Sequence, residues 1–153
     1  MITKLIDNFL SKKETEFLIK YYEKNRDKSF LYRDVNTLEC AVDHNSEINF
    51  LFKKLQLIAS SFNSRIDWCN LCEWPTNSNQ KLHFDKASAE TSLSSIIYLN
   101  DSFTGGETYY EDGTVFKPVE GRGLFFDGNF YKHGVKKINK GVRYTVATWY
   151  KKN

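Results

Sequence analysis

The sequence is short of several residue types, and each shortage excludes a class of protein. No apolar run approaches the ~20 residues that cross a bilayer. Lys4 and Asp7 interrupt the apolar N-terminal stretch, so we expect no signal peptide there. The three cysteines are too few for a disulfide scaffold, and they indicate a reducing, cytoplasmic setting. These are Cys40, Cys69 and Cys72.

Charge and chain length narrow the class further. The formal net charge of +3 is too small to indicate nucleic acid or an anionic membrane as the partner. The 153 residues suit one domain with a substantial core, and no repeat, linker or low-complexity tract divides them. Aromatic residues make up 16%, as expected of a β-rich core or of a pocket built from rings.

The first third of the chain predicts helices. Ser11 and Glu14 form a capping-box pattern, in which each side chain bonds the backbone of the other residue. A second amphipathic helix is predicted to begin near Ser46, because apolar residues then recur at spacings of three and four. Its stripe comprises Ile48, Leu51, Phe52, Leu55, Ile58, Ala59 and Phe62.

From Arg65 onward the chain predicts short strands, because β-branched and aromatic segments alternate with turn residues. We predict an α+β, mainly β fold: a small barrel or two-sheet jelly roll, braced by helices on one face. One domain would span 1–153, with helical support over about 1–64 and the β core over about 65–153. The predicted strands are 66–74, 81–86, 92–99, 106–110, 114–117, 122–126, 132–136 and 142–150.

The segment KLHFDK contains a candidate metal site. Side chains alternate along a strand, so His83 and Asp85 share one face. A third ligand would come from His44 or His133. We favour His133, because it lies in a short β segment of the core, whereas His44 lies in a polar stretch before the second helix.

Two histidines and one carboxylate form a facial triad that leaves metal positions open. His83, Asp85 and His133 would therefore suit non-haem Fe(II), which must hold a chelating cosubstrate and O2. A structural zinc site would instead be closed and usually rich in cysteine.

A late strand supplies the cation that such a cosubstrate needs. Arg143 shares its strand face with Thr145, Ala147 and Trp149. An arginine on the inner face of a barrel is unfavourable unless an anion meets it there. Its guanidinium can bind a carboxylate through two parallel hydrogen bonds. A dicarboxylate could thus chelate the metal at one end and reach Arg143 with the other.

Together these segments resemble the Fe(II)- and 2-oxoglutarate-dependent dioxygenases of the prolyl 4-hydroxylase type. The resemblance covers roughly the last half of the chain, and Ile6–Ser11 also resembles the usual start of such domains. The matching segments are His83-Phe84-Asp85, Ile97-Tyr98-Leu99-Asn100, Gly105-Gly106-Glu107-Thr108, Gly123-Leu124-Phe125-Phe126, His133-Gly134-Val135 and Arg143 to Tyr150.

The resemblance implies a double-stranded β-helix (cupin-like) fold and an oxidative activity. It implies that His83, Asp85 and His133 bind Fe(II). Arg143 would bind the distal carboxylate of 2-oxoglutarate, and Tyr98 would add a hydroxyl group to that site. The expected reaction hydroxylates a C–H bond, most plausibly of a prolyl residue in a peptide or protein, with release of succinate and CO2. Ascorbate often keeps the iron reduced in this family.

Other substrates and a non-catalytic role are the alternatives. The same chemistry could act on a small molecule, a free amino acid or a nucleic acid. The chain could also be a β-helix module that binds a metal or small ligand without turnover. Alkylation-repair demethylases resemble the chain but carry a second arginine six residues after the first, where this sequence has Trp149. Base demethylation is therefore disfavoured.

Two further features have both a structural and a functional interpretation. Cys69 and Cys72 form a C-x-x-C pattern, but on a strand they face opposite ways, so we expect them to pack in the core. A group of lysines beside His133 is usually a solvated face, although it could attract an acidic or phosphorylated substrate. The group comprises Lys132, Lys136, Lys137 and Lys140.

Overall fold

The computed structural model describes residues 2–86 and 88–153. Two helices, α1 (Lys12–Lys24) and α2 (Asn49–Ser61), accompany thirteen strands, and a 3-10 turn (Arg26–Lys28) follows α1. The strands are β1 (Thr3–Ile6), β2 (Phe30–Tyr32), β3 (Val35–Glu39), β4 (Ser64–Trp74), β5 (Gln80–His83), β6 (Thr91–Tyr98), β7 (Thr104–Gly105), β8 (Thr108–Tyr110), β9 (Val115–Phe116), β10 (Gly123–Phe126), β11 (His133–Val135), β12 (Ile138–Lys140) and β13 (Arg143–Lys152).

Two antiparallel sheets form the core. The major sheet has the order β1-β10-β6-β13-β4-β3-β2, and the minor sheet has the order β5-β11-β8-β9. Strands β12 and β7 form a separate short pair. Buried aromatic side chains from β8, β9 and β10 pack together between the two sheets. This arrangement confirms the predicted mainly β, two-sheet fold.

Both helices cover the outer face of the major sheet, as predicted. The capping box at the start of α1 is present: Ser11 N–H donates to Glu14 at 2.8 Å, and Glu14 N–H donates to Ser11 Oγ at 3.2 Å. Helix α2 begins at Asn49, three residues after the predicted start. Its buried face, with Leu51 and Leu55 fully enclosed, joins the core formed by the helices and the sheet.

The region predicted as helical support also contributes three strands to the major sheet. β1 pairs with β10, and the hairpin β2–β3 pairs with β4. The hairpin turn consists of Arg33 and Asp34, whose φ angles of +49° and +66° are the left-handed backbone conformation of a tight two-residue turn. No sequence signal marks this turn, because it lacks the asparagine-glycine or aspartate-glycine pair of a tight hairpin. The structure therefore adds these strands to the helical support predicted over about 1–64.

The long strands β4 and β13 separate the helix side of the major sheet from the inner side. On β4, Cys69 and Leu71 pack in the helix-side core, whereas Cys72 and Trp74 belong to the inner cluster. This alternation confirms that Cys69 and Cys72 face opposite ways. They and Cys40 are buried free thiols. Within the described residues, the helices are too short and too polar to span a membrane.

Candidate metal centre and cosubstrate pocket

Strand register places two histidines side by side. His83, the last residue of β5, pairs directly with His133, the first residue of β11. Their ring centroids are 4.4 Å apart. Asp85 lies between them: its Oδ1 is 3.2 Å from His83 Nε2, and its Oδ2 is 3.2 Å from His133 Nε2. One ligand atom from each residue lies within 4.8 Å of the others, close enough to hold one metal ion.

The second nitrogen of each imidazole is held by the backbone. His83 Nδ1 lies 2.8 Å from the Lys81 carbonyl oxygen, and His133 Nδ1 lies 2.8 Å from the Tyr131 carbonyl oxygen. A carbonyl only accepts hydrogen bonds, so each Nδ1 carries the proton when the ring is neutral, and each Nε2 keeps its lone pair. This is the usual outer support of metal-binding histidines. The three side chains therefore fit a divalent metal with N, N and O donors.

Asp85 lies beyond the end of β5, which is shorter than the predicted strand 81–86. Its N–H donates to the Gly128 carbonyl oxygen at 2.9 Å, so the 127–129 turn positions it instead of a strand ladder. A Cβ atom at Gly128 would lie 2.5 Å from Ser94 Oγ and 2.8 Å from Asp85 Cβ. Only glycine therefore allows this turn to approach Asp85 so closely.

Charge interactions keep the Asp85 carboxylate ionised. Burial alone would raise its pKa, but the neighbouring side chains of His133 and His83 outweigh burial and hold the pKa well below its usual range. For His83, burial lowers the pKa, the hydrogen bond with Asp85 raises it, and the net direction is upward. An ionised carboxylate is the form that binds a metal ion.

A cleft of about 400 Å³ lies between the two sheets and contains this cluster. Four buried side-chain atoms of the described residues have no hydrogen-bond partner, and all four belong to residues that line the cleft. Unpaired buried polar atoms are rare and indicate a missing ligand or solvent. The atoms are Asn70 Oδ1, Trp74 Nε1, Ser94 Oγ and Arg143 Nε.

Arg143 is the dominant feature of the deep end of the cleft. It is 1% exposed, and it forms no ion pair with any described residue. Its guanidinium carbon lies 4.8 Å from the Trp74 ring centroid and 5.4 Å from that of Tyr98. Burial lowers the pKa of Arg143, which reflects the unfavourable environment of an unmatched cation. A carboxylate entering the cleft would remove this mismatch.

Thr108 connects this arginine to the predicted tyrosine. Arg143 Nη2 donates to Thr108 Oγ1 at 3.3 Å, and Thr108 Oγ1 lies 2.6 Å from the Tyr98 hydroxyl. All three side chains are buried. The cleft therefore presents the Arg143 guanidinium and the metal cluster, whereas Thr108 and Tyr98 are not among its lining residues and contact the guanidinium from behind.

The model of the 2OG-Fe(II) oxygenase superfamily matches residues 69–151 of the sequence. The chain belongs to this superfamily. Membership assigns Fe(II), 2-oxoglutarate and O2 to the chemistry of such a centre. The donor set of His83, Asp85 and His133 fits the metal, and the unmatched cation at Arg143 fits the dicarboxylate.

Solved structures of oxygenases share the fold of this chain. The 2OG complex of the viral collagen prolyl hydroxylase from Paramecium Bursaria Chlorella virus-1 has a TM-score of 0.82 and 18% identity; the match covers 100% of this chain and 97% of that chain. A prolyl-4-hydroxylase from Pseudomonas putida has a TM-score of 0.84 and 14% identity, covering 99% and 92%. These likenesses confirm the double-stranded β-helix architecture.

Curated relatives match over a shorter segment. Human prolyl 3-hydroxylase 2 is 42% identical over 64 residues, which are 37% of this chain and 9% of that protein. The rat protein of the same name is 41% identical over 64 residues. The chain thus spans only about a tenth of the length of these curated relatives.

Several other candidates of the sequence lie away from the oxygenase centre. His44 is exposed in the segment between β3 and α2 and is not part of the metal cluster. The four lysines around His133 also lie outside the lining of the cleft.

The sequence missed two contributors to the arginine pocket. Thr108 ends the Gly105-Gly106-Glu107-Thr108 segment and Trp74 ends a predicted strand, and neither pattern indicates contact with an arginine. Trp74 could have been found, because β4 and β13 are long neighbouring strands, and antiparallel register sets Trp74 opposite Arg143. Thr108 comes from the minor sheet, and no sequence signal relates it to Arg143.

Proposed function

We propose that this protein hydroxylates a prolyl residue of a peptide or protein, using Fe(II), O2 and 2-oxoglutarate and releasing succinate and CO2. The observation that carries the proposal is the unmatched, buried guanidinium of Arg143 in the cleft that contains the His83–Asp85–His133 cluster. The activity would belong to one domain spanning 1–153. The three buried free thiols support a cytoplasmic setting.

The proposal gives each pocket residue a role. His83, Asp85 and His133 would hold Fe(II), and the backbone carbonyls at their Nδ1 atoms would fix the ring orientations. Arg143 would bind the distal carboxylate of 2-oxoglutarate, and Tyr98 would direct its hydroxyl group toward the same end of the pocket. When bound, Fe(II) and 2-oxoglutarate supply the oxidation, in which O2 gives one oxygen atom to the new hydroxyl group and one to succinate.

Burial of this end of the pocket serves the same reaction. Arg143, Tyr98 and Thr108 are at most 1% exposed, so bulk water is excluded around the proposed carboxylate site. In such an environment a charge-assisted, bidentate hydrogen bond is stronger and more directional than in water. The cosubstrate would thus be held in one orientation while the opposite end of the cleft stays open.

The open end of the cleft supports a cyclic apolar target. Trp68 and Trp149 are cross-strand neighbours on β4 and β13, and both line the cleft. Trp149 is six residues from Arg143 along β13, or about 20 Å at the rise of a strand. This length exceeds that of 2-oxoglutarate and leaves room for a substrate ring against the indoles. The prolyl hydroxylases among the relatives support the same assignment.

The decisive experiment measures succinate. The protein is prepared without oxygen, supplied with Fe(II), ascorbate and 2-oxoglutarate, and then exposed to air with proline-containing peptides. We expect succinate to accumulate and the peptide to gain one oxygen atom, detected by mass spectrometry. Asp85→Ala is the matched control, because losing the carboxylate should abolish Fe(II) binding and both products.

Two outcomes would assign another function. Oxygen incorporated into a free amino acid, a small molecule or an oligonucleotide, but not into any prolyl peptide, would change the substrate. Tight Fe(II) binding without any consumption of 2-oxoglutarate would indicate a non-catalytic binding module.

A further inference from the structure

Two cations that the metal centre does not use lie at the mouth of the cleft. Arg33 forms part of the β2–β3 turn, and Lys86 follows Asp85 in the segment beyond the end of β5. Both side chains line the same cleft as the metal cluster. The two cations come from distant parts of the chain and meet at one cleft, so they are not simply a run of like charges along one element.

Each cation is supported by an aromatic ring. The Arg33 guanidinium carbon lies 5.3 Å from the Tyr32 ring centroid, and Lys86 Nζ lies 4.9 Å from the Phe84 ring centroid. Cation–π contacts at these distances favour one location for a side chain that would otherwise sample many. Within the described residues, neither cation forms an ion pair, although Asp34 adjoins Arg33 in the turn.

When Fe(II) and 2-oxoglutarate are bound in the cleft, the charges of Arg33 and Lys86 have no negative partner there. Asp85 is the one acidic side chain among the described residues that line the cleft. The two positive charges of Fe(II) match the two negative charges of 2-oxoglutarate, and Asp85 matches Arg143. The positive charges of Arg33 and Lys86 remain, and both face the space that the substrate would enter.

We infer that the substrate is an acidic polypeptide segment, in which carboxylate side chains flanking the target residue pair with Arg33 and Lys86. This inference rests on the proposed function and specifies its substrate class. The aromatic rings of Tyr32 and Phe84 would contact the apolar parts of the segment, while their cations select its charge.

A polypeptide fits this surface better than a nucleic acid. β2 is an edge strand of the major sheet, and Phe30 and Tyr32 on this strand line the cleft. The outer edge of such a strand presents backbone N–H and C=O groups that an extended peptide can pair with. Nucleic acids instead require a long basic groove, and the net charge of the chain is only +3.

The test measures binding without turnover. Protein loaded with Ni(II) and 2-oxoglutarate is titrated with labelled Gly-Glu-Pro-Glu-Gly, Gly-Gln-Pro-Gln-Gly and Gly-Lys-Pro-Lys-Gly, and fluorescence anisotropy gives each Kd. Two partly exposed charge pairs should make the Glu peptide bind roughly three- to tenfold more tightly than the Gln peptide. Added salt should reduce this preference.

Charge variants identify the residues responsible. The double variant Arg33→Gln/Lys86→Gln should remove the preference, and Arg33→Glu/Lys86→Glu should reverse it toward the Lys peptide. The control Lys136→Gln/Lys137→Gln removes the same charge from exposed lysines outside the cleft and should keep the preference. Equal Kd values for the three peptides, or an equal loss in the control, would overturn the inference.

Further arms separate this inference from the proposed function. An oligonucleotide, dT8, that binds more tightly than the Glu peptide would replace the polypeptide by a nucleic acid and overturn the inference. Succinate formation with Fe(II) and 2-oxoglutarate tests the chemistry alone. Succinate without a charge preference would refute the acidic substrate only. A charge preference without succinate would refute the oxygenase activity and leave the acidic peptide site intact.

Discussion

Arg143 owes its position to a connected set of side chains and not to one neighbour. Trp74 supports the guanidinium from β4, and Thr108 reaches it from the minor sheet. The Thr108 hydroxyl is shared with Tyr98, so a single small residue aligns both of the groups proposed to bind 2-oxoglutarate. Removing that hydroxyl should disturb binding without opening a cavity, because valine has nearly the same shape as threonine.

Thr108→Val is therefore expected to weaken 2-oxoglutarate binding. Losing one buried hydrogen-bonding group should cost about 1 kcal/mol, or roughly fivefold in affinity. Calorimetric titration of the Ni(II)-loaded protein with 2-oxoglutarate would measure the change. Thr104→Val, at an exposed strand position, is the control that should leave the affinity unaltered.

Gly128→Ala tests the close approach of the 127–129 turn to Asp85. The added methyl group would press on Ser94 Oγ and Asp85, so the carboxylate should move away from the two imidazoles. Metal affinity should fall by about 10- to 100-fold, as is typical when the support of a ligand is disturbed. The double variant Gly128→Ala/Ser94→Ala removes the nearest clashing atom and should recover part of the loss. No recovery would indicate that Ser94 is not the limiting contact.

The candidate metal site and its neighbouring arginine could be proposed from the sequence because their signals are local or depend on strand alternation. His83 and Asp85 stand two residues apart, and Arg143 lies on the inner face of a long, clearly patterned strand. Arg33 and Lys86 were missed, because cations in polar segments are ordinarily solvated. Their relation to the cleft depends on how distant segments meet, which no periodicity encodes.

At the scale of elements, one buried carboxylate joins helix α1 to the major sheet. Glu73 on β4 accepts hydrogen bonds from Arg26 Nη1 at 2.7 Å, Asn36 Nδ2 at 3.1 Å and the Tyr144 hydroxyl at 2.8 Å. Its donors come from the 3-10 turn after α1 and from strands β3 and β13. A fourth donor, the Tyr22 hydroxyl on α1, lies 3.5 Å from the carboxylate, so one side chain connects five elements.

Glu73→Gln should accordingly destabilise the whole domain. The amide keeps the size of the side chain but replaces one acceptor oxygen by an NH2 donor, so that donors around it lose their partner. The free energy of unfolding should fall by about 1–3 kcal/mol. Urea unfolding followed by circular dichroism would measure it. Glu16→Gln, at an exposed position on α1, should change stability by less than about 0.5 kcal/mol.

The same cluster predicts a loss of stability at high pH. Burial and the hydrogen bond to Glu73 raise the pKa of Tyr144 to about 12, from a usual value of 10.0. A pKa raised by folding means that the native state favours the protonated phenol. Its contribution is complete below pH 10.0 and is lost as the pH rises through about 12. Tyr144→Phe should therefore show a smaller loss of stability than the parent protein over this interval, measured by urea unfolding at successive pH values.

The elements that the sequence predicted correctly are those with a clear period or a known cap. Helix α1 followed from its capping box, and β13 followed from ten residues rich in β-branched and aromatic types. The hairpin β2–β3 was missed, because Phe30, Leu31 and Tyr32 on its first strand are all exposed and give no alternation. Its Arg33-Asp34 turn also lacks the glycine that usually follows asparagine or aspartate in a tight hairpin. Only the pairing of β3 with β4 identifies the hairpin.

For the molecule as a whole, the unmatched charge of Arg143 should make the free energy of unfolding depend on bound 2-oxoglutarate. Ni(II) together with 2-oxoglutarate should stabilise the protein by about 2.7 kcal/mol at one hundred times Kd. For a domain of this size, that corresponds to a rise in Tm of roughly 5–10 °C. Arg143→Met should lose the part of the rise that depends on 2-oxoglutarate, while its unliganded form is at least as stable as the parent, because no buried charge remains. Differential scanning calorimetry would show both effects, and an unliganded variant less stable than the parent would contradict this account.

The pairing of His83 with His133 has a mechanical consequence. His83 is the last residue of a four-residue strand, and His133 is the first residue of a three-residue strand. The two histidines are 50 positions apart in the chain. If, as proposed, both bind one metal ion, that ion would act as a reversible cross-link that closes a long loop. It restrains the ensemble of open forms much as a disulfide would, but under the control of metal supply. Proteases should accordingly cut between these histidines more slowly once metal is bound. The ion would then protect the chain from cleavage in addition to its part in the reaction.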